Sequence, residues 1–169
     1  MTVLAYQLAQ LNVARMTAPL TDPVMADFVA NLDPINALAE RSPGFVWRFQ
    51  TDAGDATAVR PYDDDRVIVN FSVWKDAASL RDFVYRGDHA AVMKRRREWF
   101  ERLEDFYLVL WWVPAGHRPS VQEAIARLEH LKQHGISREA FTFRELYPMP
   151  GTPSTDRAPG IDDACSAWT

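Results

Sequence analysis

The chain has 169 residues, of which 47% are hydrophobic and 25% charged, as in a globular protein with a sizeable core rather than a disordered one. Its net charge of −4 argues against nucleic-acid binding, which normally needs a basic surface. The single cysteine, Cys165, excludes an internal disulfide and a cysteine-ligated zinc site, and no stretch reaches the roughly 18 apolar residues of a membrane span. We therefore expect a soluble cytoplasmic protein.

The N-terminal part of the chain predicts a strand followed by a helix. Residues 4–13 alternate in part between apolar and polar side chains, as a strand does. A helix should follow, because Asp22 can act as its N-cap and Pro23 suits the first helical position. Pro34 should break or kink this helix, since proline removes a backbone hydrogen bond. The predicted buried face consists of Met25, Phe28, Val29 and Leu32.

Two more strands are predicted on either side of an Asp- and Ala-rich connection at residues 51–65, whose acids we expect to be solvated. In the first, residues 45–50, alternation places three aromatic side chains on one face: Phe45, Trp47 and Phe49. The second, residues 66–74, shows the clearest alternation in the chain. Its two faces carry Val67, Val69, Phe71 and Val73 on one side, and Ile68, Asn70, Ser72 and Trp74 on the other.

A short helix is predicted after Asp76. The next predicted helix covers residues 88–105, is capped by Asp88 and carries polar residues in its apolar stripe. His89 and Arg96 fall inside this stripe, whereas the other charged residues fall outside. An inward arginine must find a partner, line a polar cavity or reach water. These two side chains therefore indicate a small-molecule site. The alternative is purely structural: Arg96 would pair with a core carboxylate and His89 would bond a backbone carbonyl. The stripe consists of Val92, Met93, Trp99, Phe100 and Leu103.

The C-terminal half predicts one more strand and one more helix. The apolar run 106–113, which ends at Pro114, predicts a central strand that is buried on both faces. Ser120 and Glu123 form a capping box for a helix that should end at Gly135. Residues 140–146 fit a short fifth strand. From residue 148 Pro, Gly, Ser, Thr and Asp dominate, so we divide the chain into a domain, 1–147, and a tail, 148–169.

The order of elements, β-α-β-β-α-β with an extra helix and strand, predicts an α+β fold of the ferredoxin-like, split βαβ type. Its antiparallel sheet carries helices on one face. The other face, rich in Phe and Trp, must then be covered, most simply by a second copy of the chain. We therefore expect a homodimer.

Three segments resemble a bacterial family of domains of unknown function: INALAERSPGFVWRF (35–49), FVYRGDHAAVMKRRREWF (83–100) and LVLWWVPAGHRPSVQEAIARLEHLKQHG (108–135). That family is grouped with the dimeric α+β-barrel proteins related to antibiotic-biosynthesis monooxygenases. The resemblance implies a ferredoxin-like sheet that forms a dimeric α+β barrel. The wider superfamily includes cofactor-free monooxygenases, polyketide cyclases, isomerases and haem enzymes, and it supplies no settled catalytic set for this chain.

In such a fold the natural pocket lies between the sheet and the helices. His117, in a Pro-bounded loop after the fourth strand, could approach the pocket mouth or simply bond the backbone. Asn36 could equally be a capping residue. His130 and His134 stand four apart on an exposed helix face with no third ligand nearby, so we predict no metal site. The side chains that could line the pocket are His89, Arg96, Asn36, Asn70, Trp47 and Trp112.

These residues favour an enzyme that acts on an apolar, aromatic or polyketide-like organic molecule, as in secondary metabolism. Arg96 would stabilise an enolate or phenolate, and His89 would move a proton. The outcome would be cofactor-free oxygenation, or cyclisation or isomerisation, and no cofactor is predicted. Two alternatives remain: a haem enzyme with His89 or His117 as axial ligand, and a non-catalytic domain that binds a small molecule.

Overall fold

The computed structural model describes residues 5–52, 54, 56, 57 and 59–152. Its sheet contains β1 (Tyr6–Arg15), β2 (Phe45–Arg48), β3 (Val67–Trp74) and β4 (Leu108–Pro114). The helices are α1 (Ala26–Arg41), α2 (Ala77–Tyr85), α3 (Gly87–Lys94) and α4 (Val121–His134). The strand order is β2-β3-β1-β4 and every neighbouring pair is antiparallel. This order confirms the ferredoxin-like, split βαβ fold.

Side-chain alternation along the strands divides the core into two parts, one on each face of the sheet. On one face, Trp74 and Leu110 pack with α1 and α2, and Ile68 packs beside Val92 of α3. Helix α1, which connects β1 to β2, and helices α2 and α3, which connect β3 to β4, therefore lie on the same face of the sheet, as the sequence predicts. The additional helix α4 packs on the opposite face, where Leu128 belongs to the same cluster as Phe71.

The face that was expected to be open is largely covered by the chain itself. Val69, Phe71 and Trp111 are only 4%, 2% and 1% exposed within one chain. The predicted homodimer stays a prediction, but these aromatic side chains do not require a second copy to bury them.

Helix α1 is continuous through Pro34, so the predicted break is wrong. The predicted cap is confirmed, because the Asp22 side chain accepts a hydrogen bond from the Val24 backbone N–H at 2.9 Å. Val29, predicted to be buried, is 41% exposed, whereas Met25 is fully buried. Within α1, Phe28, Leu32 and Ile35 line the cavity beneath the helix, and Val29 lies about 100° around the helix from Phe28, at the edge of that face.

A β-bulge in β2 changes the predicted faces of that strand. Phe45 pairs with Trp74, but Trp47 pairs with Val73, so the register shifts between them. Phe45 therefore packs on Trp74 on the helix-covered face, while Trp47 packs on Phe71 on the opposite face. The prediction that Phe45, Trp47 and Phe49 share a face is wrong, because a bulge inserts one residue without changing the sequence pattern.

The predicted helix over residues 88–105 is much shorter. Helix α3 starts at Gly87 instead of Asp88 and ends at Lys94, and Arg96–Glu98 form a separate 3₁₀ turn. Phe100 then forms an isolated bridge with Met16 of the segment after β1. Pairing with the end of β1 therefore replaces the last predicted helical turns.

The C-terminal elements follow the prediction in part. Strand β4 is buried on both faces, but it lies at the edge of the four-stranded sheet, and Phe141 bridges Leu110 on its outer side. Residues 140–146 form isolated bridges instead of a described strand. The Ser120 cap of α4 is confirmed, because the Glu123 N–H donates to the Ser120 Oγ at 3.1 Å. The Glu123 carboxylate accepts from the Trp111 Nε1 at 3.2 Å instead of completing the predicted capping box.

The division into a domain, 1–147, and a tail, 148–169, stays a prediction, because residues 153–169, with Cys165, lie outside the described residues. Among the described helices, none has the length and apolar character needed to cross a membrane.

We predict that Gly44→Ala destabilises the protein more than Gly116→Ala. Both glycines have a positive φ, 83° and 87°, so each alanine pays a backbone cost of roughly 1–2 kcal/mol. A Cβ at Gly44 would also overlap the Cβ and Oγ of Ser79, whereas one at Gly116 meets no atom of the described residues within 4 Å. Urea unfolding of both variants measures the difference, and equal losses would contradict this packing of the turn against α2.

Candidate functional site

A cavity of about 140 Å³ lies between the sheet and helices α1 and α3. The rings of Phe28 and Phe100 meet edge-on there at 5.0 Å between centroids. The wall is therefore mostly apolar and aromatic, as in pockets that bind organic molecules. Its apolar side chains include Phe28, Ile35, Ile68, Val92, Trp99 and Phe100.

The floor of this cavity is a polar strip in the middle of the sheet. Asn12 of β1 and Asn70 of β3 lie directly opposite each other. The Asn70 Oδ1 accepts a hydrogen bond from the Gln10 Nε2 at 3.0 Å, and Gln10 also donates to the Ser72 Oγ at 2.9 Å. The Trp74 Nε1 donates to the same oxygen at 2.9 Å. The carboxamide of Asn70 is thus held by its oxygen, which directs its N–H₂ group away from Gln10.

Asn12 is the polar group of the floor whose hydrogen bonds are incomplete. The residue is 3% exposed, and its Nδ2 has no hydrogen-bond partner among the described residues. A buried donor without a partner costs about 1–3 kcal/mol, so native proteins keep few of them. Because Asn12 lines the cavity, a ligand oxygen there would supply the missing acceptor.

Sequence reasoning missed Asn12, although a detectable pattern exists. Gln10 and Asn12 are spaced by two in a strand with buried neighbours, and they face Ser72 and Asn70 of β3. Polar residues that repeat with the strand period, on two adjacent strands, indicate a polar floor rather than a solvated face.

His89 lines the cavity from the start of α3 and is 5% exposed. A 2.9 Å hydrogen bond joins its Nδ1 to the Val84 carbonyl, and its ring packs on Phe83 at 4.5 Å. Burial lowers the pKa of the imidazole, against the opposing effect of the Val84 bond. The ring is therefore neutral at pH 7, with its proton on Nδ1 and an acceptor at Nε2.

Arg96 lines the same cavity from the turn after α3 and is half-buried. Its Nη1 donates to the Met93 carbonyl at 3.1 Å. Burial, and then the neighbouring Arg97, lower the pKa of the guanidinium, whereas Tyr107 raises it. An arginine remains a cation at neutral pH even so, which places a positive charge at the cavity wall.

Two further side chains reach the cavity, Asn36 from α1 and Arg48 from β2. Arg48 was not among the predicted site residues. The β2 bulge brings it beside Ser72, its partner on β3, whose side chain belongs to the polar floor. A smaller cavity of about 50 Å³ adjoins the larger one and shares Asn36, Arg48, Asn70 and His89 with it.

Three predicted site residues lie outside both cavities. Trp47 packs on the opposite face of the sheet, because of the bulge. Trp112 donates from its Nε1 to the Tyr147 carbonyl at 2.9 Å, so the segment after α4 covers it. His117 is exposed and lies 2.7 Å, from Nε2 to Oε2, from Glu123 at the start of α4. Trp47, Trp112 and His117 therefore do not join the other predicted residues at the cavities, and their roles in substrate binding stay predictions.

Within the described residues, no three His, Cys, Asp or Glu side chains form a group that could hold a metal ion. His130 and His134 lie with their ring centroids 4.6 Å apart on α4.

A family model described as Domain of unknown function (DUF3291) matches residues 7–157. Among curated proteins, none matches the chain in sequence.

Several solved structures are similar to this chain over most of their length. SnoaB from Streptomyces nogalater, described as a cofactor-independent oxygenase, is 19% identical, with a TM-score of 0.45, over 70% of this chain and 100% of that one. A provisionally assigned antibiotic biosynthesis monooxygenase from Nitrosomonas europaea is 11% identical, with a TM-score of 0.45, over 71% and 99%. PA3566 from Pseudomonas aeruginosa is 11% identical, with a TM-score of 0.45, over 70% and 99%. Because the identities and TM-scores are low, none of these likenesses assigns chemistry to this chain.

We predict that Asn12→Leu leaves the protein as stable as the wild type, or more stable, although it changes a buried residue. Leucine has the same branched skeleton of heavy atoms and removes a donor that has no partner among the described residues. Gln10→Leu is the matched control on the same strand and should lose roughly 1–3 kcal/mol, because it breaks two hydrogen bonds. Chemical denaturation compares the variants. A loss in Asn12→Leu as large as in Gln10→Leu would show that Asn12 is a structural residue.

We also predict that His89 makes stability fall as the solution becomes mildly acidic. An unfolded histidine titrates near about pH 6.5, and the folded pKa of His89 is lower. Below about pH 6.5 the unfolded chain therefore binds a proton that the folded protein does not, which favours unfolding. The melting temperature of His89→Gln should depend less on pH between about 7 and 5 than that of the wild type. An unchanged slope in a folded His89→Gln variant would contradict the prediction.

Proposed function

Because the chain belongs to the DUF3291 family, whose function is described as unknown, we propose its function from the site itself. The protein is a small-molecule enzyme that binds an aromatic or polyketide-like organic substrate. It removes a proton next to a carbonyl group and stabilises the enolate that results.

The observation that supports this proposal most directly is the buried Asn12 Nδ2, for which the described part of the chain supplies no hydrogen-bond partner. A donor of this kind, fixed at the floor of a mostly apolar cavity, suits an oxygen on which negative charge develops during the reaction. Asn70 lies opposite Asn12, and its N–H₂ group is directed away from Gln10. The two carboxamides together fit a substrate carbonyl above the centre of the sheet.

His89 has the properties of a general base. Its neutral ring carries an acceptor at Nε2, because Nδ1 bonds the Val84 carbonyl. In the proposed step, Nε2 takes a proton from the carbon beside the carbonyl, the electron pair of that C–H bond forms the C=C bond of the enolate, and the C=O π pair moves onto the oxygen. Asn12 donates a hydrogen bond to this oxygen, and the positive charge of Arg96 at the same cavity favours the anion.

The enolate can then follow two routes that share this first step. Reaction with dioxygen gives cofactor-free oxygenation, and without dioxygen the same proton transfer gives isomerisation or cyclisation. The aromatic wall built by Phe28, Trp99 and Phe100 favours a planar ring system as the substrate in both cases.

The two alternative functions make different use of the same cavity. A haem enzyme would need an axial ligand, and of the two candidates only His89 lines the cavity, since His117 lies beside Glu123. A non-catalytic binding domain would hold the same class of ligand without converting it. The visible spectrum of the purified protein tests for haem, and a Soret band would support that alternative.

Proton abstraction can be tested without knowledge of the natural substrate. 2-Tetralone and 1,8-dihydroxyanthrone, two enolisable aromatic ketones, are incubated with the protein in D₂O under nitrogen, and proton NMR follows the loss of the α-proton signal. We expect the wild type to accelerate this exchange and His89→Gln to lose roughly 10²-fold or more of the acceleration. His134→Gln, which changes an exposed histidine, should exchange like the wild type.

Equal exchange rates for the wild type and a folded His89→Gln would remove His89 as the base. Ketones that bind with no exchange above the protein-free rate would support the binding domain instead of the enzyme.

A further inference from the structure

The cavity has an uneven distribution of charge that the proton-transfer chemistry does not explain by itself. Two guanidinium groups, Arg48 and Arg96, line the larger cavity, and Arg48 also lines the smaller one. Of the described residues that line either cavity, none is Asp or Glu. The chain as a whole is acidic, with a net charge of −4. A cationic pocket in an acidic protein attracts and concentrates anions.

Arg48 is held in place before any ligand binds. Its Nε donates to the Glu40 Oε1 at 2.8 Å, and its Nη1 donates to the Gly54 carbonyl at 2.8 Å. The Arg48 side chain is 15% exposed, whereas that of Glu40 is 46% exposed, so the carboxylate lies on the solvent side of the ion pair. A guanidinium carries five N–H donors, and these two bonds leave the Nη2 donors unused by the described residues. Such a fixed fork is suited to a second carboxylate.

The position of Arg48 separates its role from that of Arg96. Arg48 lies at the boundary of the two cavities, together with Asn36 and Asn70, whereas Arg96 lines only the larger one. One cation can therefore meet the developing enolate while the other meets a permanent negative charge elsewhere on the same molecule.

We propose that the ligand of this site is an aromatic carboxylate whose carboxyl group binds to Arg48. This inference rests on the proposed function for the presence of an enolisable carbonyl, but the preference for an anion concerns binding alone. The substrate class is thus narrowed from aromatic ketones in general to keto or hydroxy acids with an aromatic ring.

The test compares 3-hydroxy-2-naphthoate with its methyl ester, which has the same rings and hydroxyl group but no charge. Calorimetric titration of the full chain at neutral pH and low salt should show that the acid binds roughly tenfold or more tightly than the ester. Added NaCl should weaken binding of the acid and leave binding of the ester nearly unchanged.

Arg48→Gln should lower the affinity for the acid to that for the ester, while the affinity for the ester changes less than about twofold. Arg97→Gln is the matched control, because it removes the same charge from an exposed residue that lines neither cavity. Arg48→Lys keeps the charge without the planar fork and should retain part of the preference. If Arg48→Gln does not fold, the Lys variant and the salt dependence of the wild type decide the question.

Three results would overturn the inference: ester and acid binding equally well to the wild type, an undiminished preference in folded Arg48→Gln, or no heat of binding with either probe. The outcome is separate from that of the proposed function. A preference for the acid without any deuterium exchange would retain the anion site and reject the enzyme. Exchange without a preference would do the reverse.

Discussion

The need to satisfy polar groups in the middle of the sheet governs the architecture of this protein. Gln10, Asn70 and Ser72 lie where a ferredoxin-like sheet normally packs apolar side chains against its helices, and they satisfy one another through side-chain hydrogen bonds. Asn12 continues the strip and keeps a donor that no described residue satisfies. A close-packed apolar interface over this strip would be strongly unfavourable, so α1 and α3 leave a cavity above it.

The walls of that cavity depend on the interruption of the helical pattern after Lys94. Arg95 leaves the helix and pairs with Asp27 of α1 at 2.7 Å and with Glu98 at 2.8 Å, and its guanidinium lies over the Trp99 ring at 5.0 Å. Exposed ion pairs contribute little individually, but these three contacts share one guanidinium and connect α1 to the turn after α3. The same turn brings Arg96 to the cavity. Arg95 thus connects α1 to the turn after α3, and Arg96 places a positive charge at the wall of the cavity.

Local patterns predicted the elements well where a single rule applied to the whole element. Strand β3 and helix α4 follow strict alternation and the Ser120 cap, respectively, and both were predicted within one residue of their bounds. The errors occur where tertiary contacts override the pattern. Trp47 was assigned to the pocket because a β-bulge leaves no trace in an alternating sequence, and the helix over residues 88–105 was extended because its apolar spacing continues past its end. His89 and Arg96 reach the same cavity, although the helix that was expected to align them stops between them.

The aromatic content of the chain has a different meaning once the two faces of the sheet are distinguished. On the face beneath α4, Phe71 and Trp111 form the main core, so their abundance gives no reason to place a partner there. On the other face, Phe28, Trp99 and Phe100 surround an opening with a polar floor. The first set stabilises the fold through burial, and the second shapes a binding surface. The cavity is assembled from β1, β2, β3, α1, α3 and the turn after α3, so its floor and wall depend on segments that are far apart in the sequence.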